Sequence, residues 1–182
     1  MTFKRKYQLL FALLGLVHVC VAQQNFELLD TVNHRYLSIQ VDTCTLDGFC
    51  SGKGIVRLKN EHGKVVQSFS IENLVFSKNN NLAKETLGPV TFRDFNLDGY
   101  IDLAIVNGNN GNYSLISYHI YLFSPEQHRF LFNPKLTELS SESMGLFEND
   151  VKRKRIITHA KGDFSSSVDQ EFEFVTPYQI QK

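Results

Sequence analysis

Asp94, Asn96, Asp98 and Asp102 fall within nine residues, in the run Asp94-Phe95-Asn96-Leu97-Asp98-Gly99-Tyr100-Ile101-Asp102. Three carboxylates packed this closely repel one another unless a cation sits among them. Asp94, Asn96 and Asp98 occupy alternate positions, so their side chains converge if the chain curls back on itself. Gly99 permits the sharp turn that such a curl needs. Tyr100 can add its backbone carbonyl, and Asp102 adds a further carboxylate. Hard oxygen donors on a tight loop are what calcium requires. An oxygen-only set with no histidine does not favour zinc, which argues against a catalytic metal.

The loop is not an EF-hand. Counting Asp94 as the first position, Gly99 falls at the sixth as required, but the twelfth is Ile105, where a bidentate glutamate belongs. The residues after Gly99 alternate as Ile101, Leu103 and Ile105, the pattern of a strand and not of a helix. The motif therefore joins two strands, as in the short calcium repeats of integrin-type propeller blades. The plainer alternative is an Asx-rich turn that holds no metal.

Other chemistry finds little support. After the N-terminal segment the histidines are His34, His62, His119, His128 and His159, scattered with no accompanying nucleophile or paired carboxylate. An enzyme needs such a constellation, so none is expected. Cys44 and Cys50 flank Thr45-Leu46-Asp47-Gly48-Phe49. A pair across a Gly-containing turn reads as a disulfide at a hairpin tip. A two-cysteine metal site is the alternative, but nothing nearby completes a tetrahedral set.

These residues need a framework, and it reads as all-β. His34–Val41, Gly54–Lys59, Val65–Ile71, Leu74–Ser77, Val90–Phe92, Tyr100–Val106, Ser117–Phe123, Arg129–Phe132, Arg155–His159 and Glu171–Val175 are short runs rich in Val, Ile, Phe and Tyr. Gly, Asn, Asp and Ser punctuate them at intervals that suit antiparallel sheets, in a sandwich or a partial propeller-like arrangement. A short helix fits around Pro134–Ser141 or Ser143–Glu148. With fifteen Phe, seven Tyr and no Trp, the core between sheets is expected to be aromatic. Lys152-Arg153-Lys154-Arg155 follows acidic Glu148 and Asp150, and reads as a solvated turn or strand start.

The N-terminus carries Lys4, Arg5 and Lys6 ahead of an apolar run from Leu9 to Val17. That run is too short to span a bilayer. With Cys20 and Ala22 as small residues at the end, residues 1–22 read as a cleaved secretory signal and 23–182 as a single β-rich domain. A lipid anchor at Cys20 is the alternative, and Val19 before it argues against one. Removing residues 1–22 takes three of the 19 basic residues and none of the 19 acidic ones, leaving a net charge of −3. That balance gives no footprint for nucleic acid, and no second apolar stretch is long enough to span a membrane. Export to an oxidising compartment suits the cysteine pair.

Val90-Thr91-Phe92-Arg93 leads into the Asp94–Asp102 loop and then Leu103-Ala104-Ile105-Val106. Asn107-Gly108-Asn109-Asn110-Gly111-Asn112-Tyr113 follows, then Tyr118-His119-Ile120-Tyr121-Leu122-Phe123, Phe130-Leu131-Phe132-Asn133 and Leu136-Thr137-Glu138-Leu139. Over residues 64–175 this order resembles a family of exported calcium-binding proteins of Gram-negative bacteria. Members of that family include periplasmic immunity proteins that inhibit lysozyme-like antibacterial effectors. The resemblance implies a periplasmic, calcium-binding inhibitor whose partner is a lysozyme-like peptidoglycan hydrolase. A lysozyme cleft presents two carboxylates and a groove for sugar rings, and a stiff loop with amide donors and an aromatic face would plug it. Asn109, Asn110, Asn112, Tyr113 and Ser114 offer those groups. Asn110-Gly111-Asn112-Tyr113 is similar to the Ser-Gly-x-Tyr loop of other periplasmic lysozyme inhibitors, with Asn in place of Ser. The alternatives are a plain Asn/Gly hairpin loop here and, for the whole chain, a calcium-stabilised module that binds a cell-surface protein or glycan.

Overall fold

The computed structural model describes residues 24–30, 35–77, 86–87, 89–111, 115–161, 167–176 and 179–182. Residues 1–22, expected to be a signal, lie outside this set, as do Asn112, Tyr113 and Ser114. Among the described residues no helix is long and apolar enough to cross a membrane.

Three antiparallel sheets follow one another along the chain. The first is a meander of β1 (Gln24–Asp30), β2 (Arg35–Cys44), β3 (Phe49–Lys59) and β4 (Val65–Ser77). The second runs β5 (Thr86–Leu87), β6 (Val90–Arg93), β7 (Asp102–Val106), β8 (Tyr118–Ser124) and β9 (Arg129–Phe132). After α1 (Pro134–Glu142), the third comprises β10 (Glu148–Asp150), β11 (Arg155–Lys161), β12 (Ser167–Thr176) and β13 (Gln179–Gln181). The all-β, antiparallel expectation is met.

The second sheet is the middle layer. Leu103 and Ile105 point from β7 into a core shared with Leu37, Ile39, Val56 and Phe69 of the first sheet. Ala104 points the other way, into a core with Leu136 and Leu139 of α1 and Ile156 and Phe172 of the third sheet. Successive side chains of a strand face opposite sides, so a strand packed on both faces reads as a continuous apolar run. All five residues of β7 are buried, and Asp102 is the one that breaks the apolar run.

The helix forms where the sequence allows it. Asn133 caps it, its Oδ1 accepting from Leu136 N at 2.9 Å, and Pro134 takes the first position, where a missing N–H costs nothing. The four-residue β9 pairs only Tyr121–Ser124 of β8. α1 serves the rest of that edge: Thr137 Oγ1 accepts from Ile120 N at 3.0 Å, and Ser140 Oγ donates to Tyr118 O at 2.8 Å. No second helix forms over Ser143–Glu148; Ser143 ends α1, its N–H donating to Leu139 O.

Cys44 and Cys50 face each other as register partners on β2 and β3 and are joined by a disulfide. The hairpin tip they close presents Leu46 wholly to solvent.

Candidate calcium loop and the hairpin it precedes

The segment between β6 and β7 does curl. Asp94 Oδ1 and Asn96 Oδ1 both accept from Asp98 N, at 3.2 and 3.3 Å. Asp94 Oδ2 accepts from Gly99 N at 2.9 Å, and Asp98 Oδ1 accepts from Tyr100 N at 2.9 Å. Asn96 Nδ2 donates to Asp98 Oδ2 at 2.8 Å. Gly99 sits at φ 92° and Leu97 at φ 61°. The first suits glycine; the second is uncommon for a branched side chain and holds local strain.

Asp102 occupies a different environment. Its side chain is fully buried. Oδ2 accepts from Phe95 N at 2.7 Å and Oδ1 from Phe123 N at 2.8 Å. One carboxylate thus ties the start of the loop to β8. Burial pushes its pKa up to about 7; nearby Asp98 and Asp94 add to the rise, while the two backbone N–H groups oppose it. Each carboxylate oxygen has two lone pairs, so these bonds leave acceptor capacity on both.

Do these residues fit a hard cation? The donor chemistry does: three carboxylates, an amide oxygen and a backbone carbonyl fall within nine residues, with the Asp102 carboxylate set apart on β7. Among the described residues no basic side chain pairs with Asp94, Asp98 or Asp102. A buried carboxylate influenced by two further carboxylates is a local excess of negative charge, and a divalent ion would offset it. The oxygens are turned onto the loop's own amides, and no three His, Cys, Asp or Glu side chains among the described residues are already gathered around a common point.

The loop's far side is held by the third sheet, which sequence reasoning missed. Asn149 on β10 donates from Nδ2 to Asp94 O at 2.5 Å, and Arg93 Nη2 donates to Phe147 O at 2.5 Å. The Arg93 guanidinium lies 4.7 Å from the centre of the Phe95 ring, and Phe95 meets Phe147 edge-on at 5.7 Å. No local signal could reveal these partners, since Asn149 and Asp94 are 55 residues apart.

At the other end of β7 begins the Asn/Gly loop. Its base is closed: Asn107 N donates to Ser117 O and Ser117 N to Gly108 O, both at 2.9 Å. Gly111 N donates to Leu115 O at 3.0 Å, and Asn110 Nδ2 to Asn107 O at 2.7 Å. Gly108 has φ 70°, and a Cβ there would come within 2.9 Å of Asn73 Cβ, so only glycine fits. Asn109 and Asn110 are exposed.

The basic run is the β10–β11 turn and start of β11. Arg153 bonds Asp150 at 2.6 Å, and Arg155 pairs with Glu171 at 2.7 Å and with Glu173. Its two arginines are held in ion pairs on the surface.

Fold and site together define the class: an all-β protein of three antiparallel sheets with one Asx-rich strand–loop–strand turn. No family profile and no curated protein sequence matches the chain. Among solved structures, one described as a Xanthomonas type IV secretion system related protein aligns with TM-score 0.65. The alignment covers 86% of this chain and 78% of that chain at 20% identity. The likeness is one of fold.

Proposed function

We propose that this protein is an exported, calcium-braced inhibitor that blocks a lysozyme-like peptidoglycan hydrolase by placing the Asn107–Ser114 loop in its cleft. The observation that carries the reading is the short span of β7. Asp102 anchors one end of that strand by both carboxylate oxygens, and the candidate loop is bonded shut at the other. Calcium, when present, would be held by Asp94, Asn96, Asp98, Tyr100 O and Asp102 and would supply the positive charge that keeps this turn closed. A loop ordered in advance loses less entropy on docking. The disulfide is in keeping with a periplasmic or secreted location. The solved neighbour's description as secretion-system related supports the same setting. The protein has no catalytic role in this account.

The test is inhibition of a c-type lysozyme and of a soluble lytic muramidase on peptidoglycan. Wild type is expected to inhibit in calcium, and Tyr113→Ala to inhibit at least tenfold more weakly with unchanged calcium-dependent melting. An undiminished Tyr113→Ala inhibitor removes the loop assignment. No inhibition of any muramidase, with binding on a glycan array instead, favours the surface-binding module.

A further inference from the structure

Asn149 and Arg93 join the calcium turn to a sheet that supplies none of its donors. Resting on the calcium reading above, we infer that ion binding at Asp94–Asp102 is coupled to docking of the C-terminal sheet, with Asn149 as the positioning residue.

The geometry is specific. Asp94 is the first donor of the turn, and its backbone carbonyl accepts the Asn149 side-chain amide. One residue earlier, Arg93 reaches back to Phe147 O, two positions before Asn149. Phe95 and Phe147 are both fully buried and meet edge-on beneath these bonds. The outer surfaces do not close: a cleft of about 560 Å³ lies between them, with Asp94, Leu97 and Gly99 on one wall and Glu148, Asn149 and Val151 on the other. Among the described residues these bonds and the Phe95–Phe147 pair cross beside that cleft, next to the apolar core in which Ile156 and Phe172 meet α1 and β7. Opening the turn would shift Asp94 O from Asn149 and the Phe95 ring from Phe147. Closing it sets both.

β10 is only three residues long and pairs with β11 alone. Its bond to Asp94 therefore adds a polar tie to the apolar core by which Ile156 and Phe172 seat the third sheet. Coupling between two such events is reciprocal: if calcium favours a seated sheet by some factor, loosening the sheet weakens calcium by the same factor.

The experiment is backbone hydrogen exchange of the full chain, in calcium and in chelator, beside a calorimetric titration with calcium and with magnesium. Wild type is expected to exchange at least about tenfold more slowly over Arg155–Lys161 and Ser167–Thr176 in calcium. Asn149→Ala should lose most of that protection and bind calcium several-fold more weakly, by a factor that matches the lost protection. Asn149→Gln, which keeps the amide on a longer arm, should recover part of both. Calcium that slows exchange only in residues 94–106 overturns the coupling while leaving the calcium reading intact, and this needs no variant to fold. Absence of any calcium uptake overturns the calcium reading and the coupling with it.

Discussion

Asp102 and Phe123 are joined by a 2.8 Å bond from a backbone amide of β8 to a buried carboxylate on β7. The same carboxylate accepts from Phe95 at the start of the turn, so one side chain fixes the turn against two strands.

Asp102→Ala should therefore be costly. It would strand two backbone N–H groups, one buried and one half-buried. Leaving a buried donor unsatisfied costs about 1–3 kcal/mol, so a loss of about 2–5 kcal/mol is expected. The check is the urea midpoint in calcium; a shift equivalent to under about 1 kcal/mol would show that the carboxylate is not an anchor.

The disulfide closes a small loop, and the chain-entropy relation gives a stabilisation of about 2 kcal/mol for a bridge of that span. Cys44→Ser with Cys50→Ser should lose at least that much, because a serine hydroxyl would replace the fully buried Cys50 sulfur. Its effect on calcium affinity should be nil, since the hairpin tip lies on the first sheet and the turn on the second. Calorimetry on the double variant checks both halves.

His159 gives the third sheet a pH dependence. Its Nδ1 lies 2.8 Å from Asp169 and its Nε2 3.5 Å from Glu148. The Asp169 hydrogen bond, chiefly, raises the imidazole pKa above 6.5. A raised folded-state value means that the stabilisation is complete below pH 6.5 and disappears as pH climbs through the folded pKa. Urea midpoints for wild type and Asp169→Asn should differ most in mild acid and converge toward pH 9. Curves that stay parallel would remove the pair from the account.

Particular residues show what the sequence made legible. Phe172 and Phe174, alternating with Glu171 and Glu173, identified a strand and its packed face, because period two survives wherever one side packs; Ile101, Leu103 and Ile105 share a face as read, but β7 is buried on both. The Asp94–Asp102 turn was legible because its donors are local. β4 was expected as two strands broken at Glu72-Asn73. It is one strand with an irregularity there, where Gly52 and Gly54 pair with Leu74 and Ile71, and a bulge absorbs the polar residues. β10 was missed because Glu148-Asn149-Asp150 has no apolar alternation; its pairing with β11 makes it a strand. β1 and β13 are edge strands, and the Leu28-Leu29 pair breaks the alternation of the first. Phe123 and Asn149 could not have been found, since long-range hydrogen bonds leave no mark on local spacing.

The most direct measurement is the melting temperature of wild type and Asp98→Ala in calcium, magnesium and chelator. At calcium a hundredfold above its dissociation constant, binding stabilises by about 2.7 kcal/mol, or about 5–10 °C for a chain of this size. Wild type should gain that shift in calcium over chelator and gain much less from magnesium, and Asp98→Ala should gain almost nothing. Equal melting of wild type in calcium and in chelator would contradict the calcium brace.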